Sequence, residues 1–204
     1  MGDLLAELTD LGCVLDGVRT VRLPNVSDER GSISVYSRPE WAESVQVQWN
    51  IGRSAPNVMR GVHLHLVHSD WLALIAGKMF VGLRDLRPES PTRGRSVIVT
   101  LNAPGPAASC RCSGAIDGSG RSDAATGEAL YIPPGVAHGF YNFDVATYLY
   151  GTSTVWSPID ELGCRWDDPA LELAWPIPNG ETPTLSARDD GAESLAQLLR
   201  TVGW

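Results

Sequence analysis

From Val18 onward the chain is a succession of brief apolar segments cut by Gly, Pro, Asn and Asp: VRTVRLP, GSISVYS, VQVQWNIG, LALIAGKMFVGLRDL, SVIVTL, EALYIP and TYLYGTSTVW. Short strands at this spacing, with no long helical period between them, predict a sandwich or barrel. A short helix is expected before them, at about residues 3–11, and the leucine spacing of GAESLAQLLRTVGW predicts a closing helix. The stretch RDLRPESPTRGR (84–95) reads as a turn-rich connection, because prolines and a glycine punctuate its charges. From about 104 to 126 the residues are mostly small, with almost no large apolar side chain, which reads as an inserted loop. With 43% hydrophobic residues over 204 positions, the chain can build one β-rich domain spanning 1–204.

The net charge of −8 is spread without a basic stripe, which argues against nucleic acid and against an anionic membrane surface as partners. MGDLLAELTDLG has early acids and no basic lead, so no secretory signal is expected. No apolar run approaches the ~18 residues of a membrane-spanning helix. A cytoplasmic protein acting on a small molecule is the expectation. Cys13, Cys110, Cys112 and Cys164 are read as reduced thiols, Cys110 and Cys112 being too close in sequence for an easy mutual disulfide.

All four histidines fall in two strand-like stretches, His63, His65 and His68 in RGVHLHLVHSDWLALIAG and His138 in GEALYIPPGVAHGFYN. Side chains two apart on a strand share a face, so His63 and His65 are expected in one cavity. His68, an odd step from His65, is expected on the opposite, outer face.

Around His63 the sequence reads H-x-H-x4-D-x6-G (His63, His65, Asp70, Gly77), and around His138 it reads G-x5-P-x-G-x2-H-x3-N (Gly127, Pro133, Gly135, His138, Asn142). These spacings resemble the two motifs of the cupin superfamily, with Asp70 where the first motif usually has Glu. The resemblance implies an all-β jelly-roll barrel with short N- and C-terminal helices.

A narrower resemblance runs from about Val21 to Leu199. Its pieces are D-x-R-G (Asp28, Arg30, Gly31), Q-x-N (Gln48, Asn50), N-V-x-R-G-x-H (Asn57 to His63), R-x-E-S-P-T-x-G (Arg87 to Gly94), I-P-x-G-x-A-H-G-F (Ile132 to Phe140), W-x-D-P (Trp166 to Pro169), and W-P with L-S-A-x-D (Trp175, Pro176, Leu185 to Asp189). In this order they are similar to the dTDP-4-dehydrorhamnose 3,5-epimerase family. The resemblance implies a cofactor-free epimerase of a nucleotide-activated, dTDP-linked 4-keto-6-deoxy sugar, working as a homodimer. The C4 carbonyl acidifies the hydrogens at C3 and C5, a base removes one to form an enolate, and an acid on the opposite face returns a proton. The resemblance matches the base to His63, its orienting carboxylate to Asp189 and the acid to Tyr150. Imidazole and phenol suit these roles, with ordinary pKa values of about 6.5 and about 10. It matches substrate-binding positions to Arg30, Gln48, Asn50, Arg60, His138 and Trp156, and the planar fork of an arginine fits phosphate oxygens.

The chain departs from that family in three places. The family's lysine beside the sugar carbonyl is matched by Asp70, and a negative charge there opposes a developing enolate. The chain's only lysine is Lys78. The family's base-stacking tyrosine is matched by Trp156, its H-x-Q by His63-Leu64-His65, and an insertion precedes Glu128. His63, His65, Asp70 and His138 together supply three imidazoles and a carboxylate, a set suited to one divalent transition metal. Two alternatives therefore stand beside the epimerase: a metal-dependent cupin isomerase or oxygenase using those four residues, and a non-catalytic nucleotide-sugar-binding relative. A cation could also replace the missing lysine by polarising the carbonyl.

Overall fold

The computed structural model of the chain describes residues 8–10, 14–104 and 127–204. In chain order its strands are β1 (Leu8–Asp10), β2 (Arg19–Arg22), β3 (Asn25–Asp28), β4 (Gly31–Ser34), β5 (Gln48–Ser54), β6 (Val58–Leu64), β7 (Asp70–Ala76), β8 (Lys78–Asp85), β9 (Ser96–Asn102), β10 (Glu128–Ile132), β11 (Val136–Asn142), β12 (Ala146–Thr152) and β13 (Leu162–Gly163). Two short helices follow, α1 (Ala187–Asp190) and α2 (Leu195–Val202). One sheet has the order β1-β2-β10-β7-β12-β5, the other β13-β6-β11-β8-β9, and β3 pairs with β4 in a separate hairpin. Every named strand pair is antiparallel. The all-β jelly roll expected from the sequence is the fold that forms.

The alternation of strand side chains explains why these segments make a barrel. Leu72 and Leu74 of β7, Leu130 and Ile132 of β10, and Ala146 and Tyr148 of β12 point between the sheets. They meet Met79, Val81 and Leu83 of β8 and Leu101 of β9 in one buried cluster. The opposite faces are covered as well. Trp71 and Ala73 of β7 pack outward against Trp41, with the Trp41 and Trp71 rings stacked at 6.0 Å. Val62 and Leu64 of β6 pack under Leu171, Leu195 and Leu198 of the C-terminal segment.

The closing helix expected from GAESLAQLLRTVGW is α2; the Ser194 hydroxyl accepts from the Gln197 N–H, and Gly203 ends it in the left-handed conformation. The helix expected at 3–11 is a different case. Most of it lies outside the described residues, and the three that are described form β1, which pairs with β2 from Leu8 opposite Val21 to Asp10 opposite Arg19. The open edge of β2 offers ladder partners that outweigh the weak preference of so short a helix. The small-residue stretch at 105–126, with Cys110 and Cys112, also lies outside the described residues, as does Cys13. Cys164 is a buried free thiol, and burial pushes it up to about 12.

The RPESPTRG run is the connection between β8 and β9. The fully buried Asp85 carboxylate accepts from Arg87 Nη2 at 2.7 Å, Ser90 Oγ at 2.5 Å and Thr92 Oγ1 at 2.6 Å. Burial alone would raise this carboxyl, yet these hydrogen bonds hold it below its ordinary value. The run is thus a structural clamp.

Candidate functional site

Along the two central strands, the inward side chains change from polar to apolar. β7 presents Asp70, then Leu72 and Leu74, while β12 presents Thr152, Tyr150, Tyr148 and Ala146. The apolar end is filled by the core cluster. At the polar end a cavity of about 330 Å³ opens, lined by Arg60, His63, His65, His68, Asp70, Leu72, Ile132, His138, Phe140, Tyr148, Tyr150, Thr152, Trp156, Glu161 and Arg188. Its size and mixed lining suit a small ligand.

Arg60 and His63 are three apart, so a regular strand would send them to opposite faces. Strand pairing shows why both reach the cavity. His138 lies opposite His63 and Phe140 opposite Arg60, which leaves one extra residue in β6. A bulge of this kind re-aims the side chains that follow it. It falls at Gly61, whose φ is +103° and where a Cβ would lie 2.8 Å from the Gly139 backbone. On β5, a Cβ at Gly52 would lie 2.2 Å from the Tyr148 ring, so this glycine leaves room for an aromatic wall.

His63 Nε2 lies 2.8 Å from Asp189 Oδ1. Asp189 comes from the short α1, where the Ser186 hydroxyl accepts from the Asp189 N–H at 3.1 Å; the Gly61 N–H reaches Asp189 Oδ2 at 3.4 Å. Burial would raise the Asp189 carboxyl, but the bond to His63, the charge of His63 and the Gly61 N–H outweigh it and hold it at about 2. Arg188, held by Glu161 at 2.8 Å, also reaches His63 Nε2. Asp189 and Arg188 thus meet at one ring nitrogen.

Tyr150 lies on β12 opposite Asn50 and Leu72 and lines the same cavity. Burial first, then Tyr148, Glu161 and Asp70, push its phenol above the ordinary value, against the opposing pull of Arg60. Gln48 and Asn50 point inward from β5, where Gln48 Nε2 donates to Asn50 Oδ1 at 3.1 Å and Gln48 Oε1 accepts from the Trp156 N–H at 2.9 Å. Trp156 is half exposed at the rim, its indole N–H donating to Glu161 at 2.8 Å. Arg30 is exposed in the turn between β3 and β4 and does not line the cavity.

His68 corrects the sequence expectation. It is buried, at 2% exposure, because the chain leaves strand geometry between Leu64 and Asp70 and the odd-even rule does not carry through. Its Nδ1 meets Asp160 Oδ2 at 2.7 Å, and its ring stacks on His65 at 4.1 Å. His65, His68 and His138 surround Asp70, with Nε2 to carboxylate distances of 3.7, 3.7 and 3.5 Å. Burial, then Glu161 and Asp160, push the Asp70 carboxyl well up. Burial lowers His65 to about 4 and His138 well below its ordinary value.

The four-residue metal set expected from the sequence is thereby divided. His65, Asp70 and His138 bring ligand atoms within 4.8 Å of one another, and His63 stands apart on Asp189. Asp160, Glu161 and Arg188 were not foreseen. Asp160 and Glu161 reach the site from a 3-10 turn at Pro158–Asp160 and its end, and only the adjacent acids of SPIDEL hinted at them.

A sequence profile described as dTDP-4-dehydrorhamnose 3,5-epimerase matches residues 13–107 and 121–197. The dTDP-4-dehydrorhamnose 3,5-epimerase of Salmonella typhimurium is 32% identical over 184 residues, covering 85% of this chain and 88% of that one. Among solved structures, NovW of Streptomyces spheroides, a 4-keto-6-deoxy sugar epimerase, superposes with a TM-score of 0.77 at 27% identity, over 98% of this chain and 92% of NovW. RmlC of Legionella pneumophila, solved in complex with dTDP-4-keto-L-rhamnose, superposes with a TM-score of 0.73 at 26% identity, over 94% of this chain and 97% of its own.

Proposed function

This chain belongs to the dTDP-4-dehydrorhamnose 3,5-epimerase family, and from that premise we propose that it inverts C3, C5 or both in a dTDP-linked 4-keto-6-deoxy sugar. The observation that carries the reading is one cavity lined by both Tyr150 and His63, with His63 paired to the Asp189 carboxylate. When His63 Nε2 carries a hydrogen and donates it to Asp189, Arg188, which only donates, is served by Glu161 and the Asp189 carboxylate instead of by that nitrogen, and Nδ1 is left to take the sugar's proton. Loss of that proton moves an electron pair onto the C4 oxygen as the enolate. Tyr150 then returns a proton to carbon from the other side, which inverts the centre, and water restores both groups. The acidic shift of Asp189 keeps a counter-charge beside the imidazolium that forms, and the upward shift of Tyr150 keeps its phenol loaded.

Arg60, on the same face as His63 through the bulge, and Trp156 at the rim would hold the diphosphate and the base of the nucleotide. Arg30 does not line the cavity of its own chain and would serve a nucleotide across a homodimer. In support of such a dimer, Trp49 and Ile51 point outward from β5, the edge strand of its sheet, and are 40% and 72% exposed.

The test is incorporation of solvent deuterium into a dTDP-4-keto-6-deoxy sugar, followed by NMR. Wild-type protein is expected to label C3 or C5, and His63→Asn to slow labelling by roughly 10²–10⁴-fold. Full labelling by His63→Asn would overturn the role of His63, and no labelling by the wild type would overturn the reading itself.

A further inference from the structure

Three imidazoles surround the Asp70 carboxylate, and each has its outer nitrogen engaged elsewhere. Nδ1 of His65 donates to the Asp160 carbonyl oxygen at 2.9 Å, Nδ1 of His138 to the Val136 carbonyl oxygen at 3.1 Å, and Nδ1 of His68 to the Asp160 carboxylate at 2.7 Å. A carbonyl oxygen only accepts, so Nδ1 carries a hydrogen in both His65 and His138. In a neutral ring this leaves Nε2 as a lone pair. Both lone pairs face the same oxygen, Asp70 Oδ2, at 3.7 and 3.5 Å.

Those separations exceed an N–H···O hydrogen bond of about 2.7–3.2 Å. They approach the roughly 3.0–3.4 Å between neighbouring atoms bound about 2.1 Å from one ion. Asp70 is only 7% exposed, so water would offset little of the charge it carries when ionised. A single proton on the carboxyl could satisfy one nitrogen, whereas a cation between the three groups satisfies all of them. The other oxygen, Asp70 Oδ1, lies 3.7 Å from His68 Nε2. Tethering the far nitrogen of each ligand imidazole to a backbone oxygen is also how proteins fix the tautomer of metal-bound histidines.

We propose that His65, His138 and Asp70 hold one divalent first-row transition metal ion, two imidazoles and a carboxylate on one side, with its remaining positions open to the cavity. His63 is not in the set, because its ring nitrogens do not group with the other three ligand atoms and its Nε2 is held by Asp189. A general base and a cation therefore share one cavity. What the ion does there rests on the epimerase reading: the C4 carbonyl oxygen would be its next ligand, and the negative charge that reaches this oxygen as His63 takes the proton would be held by the ion.

Binding is measured without substrate, so its outcome is separate from that of the deuterium experiment. Untagged protein purified without chelator is assayed for metal by inductively coupled plasma mass spectrometry. Chelator-stripped protein is then titrated with Zn²⁺ by calorimetry. The expected result is one ion per chain, weakened at least ~100-fold in Asp70→Asn and in His138→Asn, with His63→Asn binding as the wild type does. Circular dichroism and melting of the stripped variants verify their fold, and His65→Asn serves in place of either that fails to fold. No saturable binding of Zn²⁺ or Mn²⁺ by the wild type would overturn the proposal in favour of a protonated Asp70. Unchanged binding by Asp70→Asn, or equal loss in His63→Asn, would overturn the assigned ligands.

Discussion

Asp189 titrates low although burial alone would raise it, and that has a measurable cost at low pH. Its folded-state value of about 2 lies below its ordinary 3.8, so the stability it contributes is fully present above about pH 4 and is lost as pH falls through about 2. The shift corresponds to about 2 kcal/mol. Urea midpoints taken from pH 5 to pH 2 should fall less steeply for Asp189→Asn than for the wild type; parallel curves would show that the His63 contact adds no acid-sensitive stability. Tyr150→Phe separates the two halves of the proposed reaction. Inverted product should drop by roughly 10²–10⁴-fold while solvent exchange at the carbon facing His63 persists, and equal loss of both in NMR would count against Tyr150 as the acid. His63, Tyr150 and Asp189 could be named from sequence only as the residues that the family resemblance matches to a base, an acid and an orienting carboxylate. His68, Asp160, Glu161 and Arg188 could not, since they lie outside regular strands and meet only after the chain has folded.

The strands were legible as elements because their inward residues alternate, as Leu72 and Leu74 or Leu130 and Ile132 do. The bulge in β6 was not, because an extra residue at Gly61 leaves no mark in a pattern of polar and apolar letters. The β8–β9 connection was read as a turn, but its ion pair was invisible until Arg87, Ser90 and Thr92 closed on Asp85. Asp85→Ala should destabilise the fold by about 3 kcal/mol, at the low end for a buried pair because the side chain of Arg87 is 21% exposed. A urea midpoint unchanged from the wild type would refute the clamp. On β5, Gly52→Ala would push a methyl group into the Tyr148 ring and should cost about 1–3 kcal/mol; a stable variant would mean that the aromatic wall can shift.

For the molecule as a whole, the apolar outward face of β5 leads to a prediction about assembly. Light scattering behind size exclusion should give twice the 22.0 kDa chain mass, and Ile51→Asp should return it to that of one chain; a monomeric wild type would exclude the dimer and with it any role for Arg30 in a partner's cavity. The overall mass and shape were less legible than the barrel, because exposure of Trp49 and Ile51 depends on which strand ends at the sheet edge. β7 has the opposite situation. It is hydrogen-bonded to β10 on one side and β12 on the other, with the Trp41 stack over one face and the barrel core against the other. Its amides should be among the last to exchange with heavy water, opening only when the entire molecule unfolds. Asp70, the first residue of β7, is therefore carried on one of the least yielding strands. The ion proposed to sit beside it would have to come through the cavity, and its binding should register as a change in the global unfolding rate.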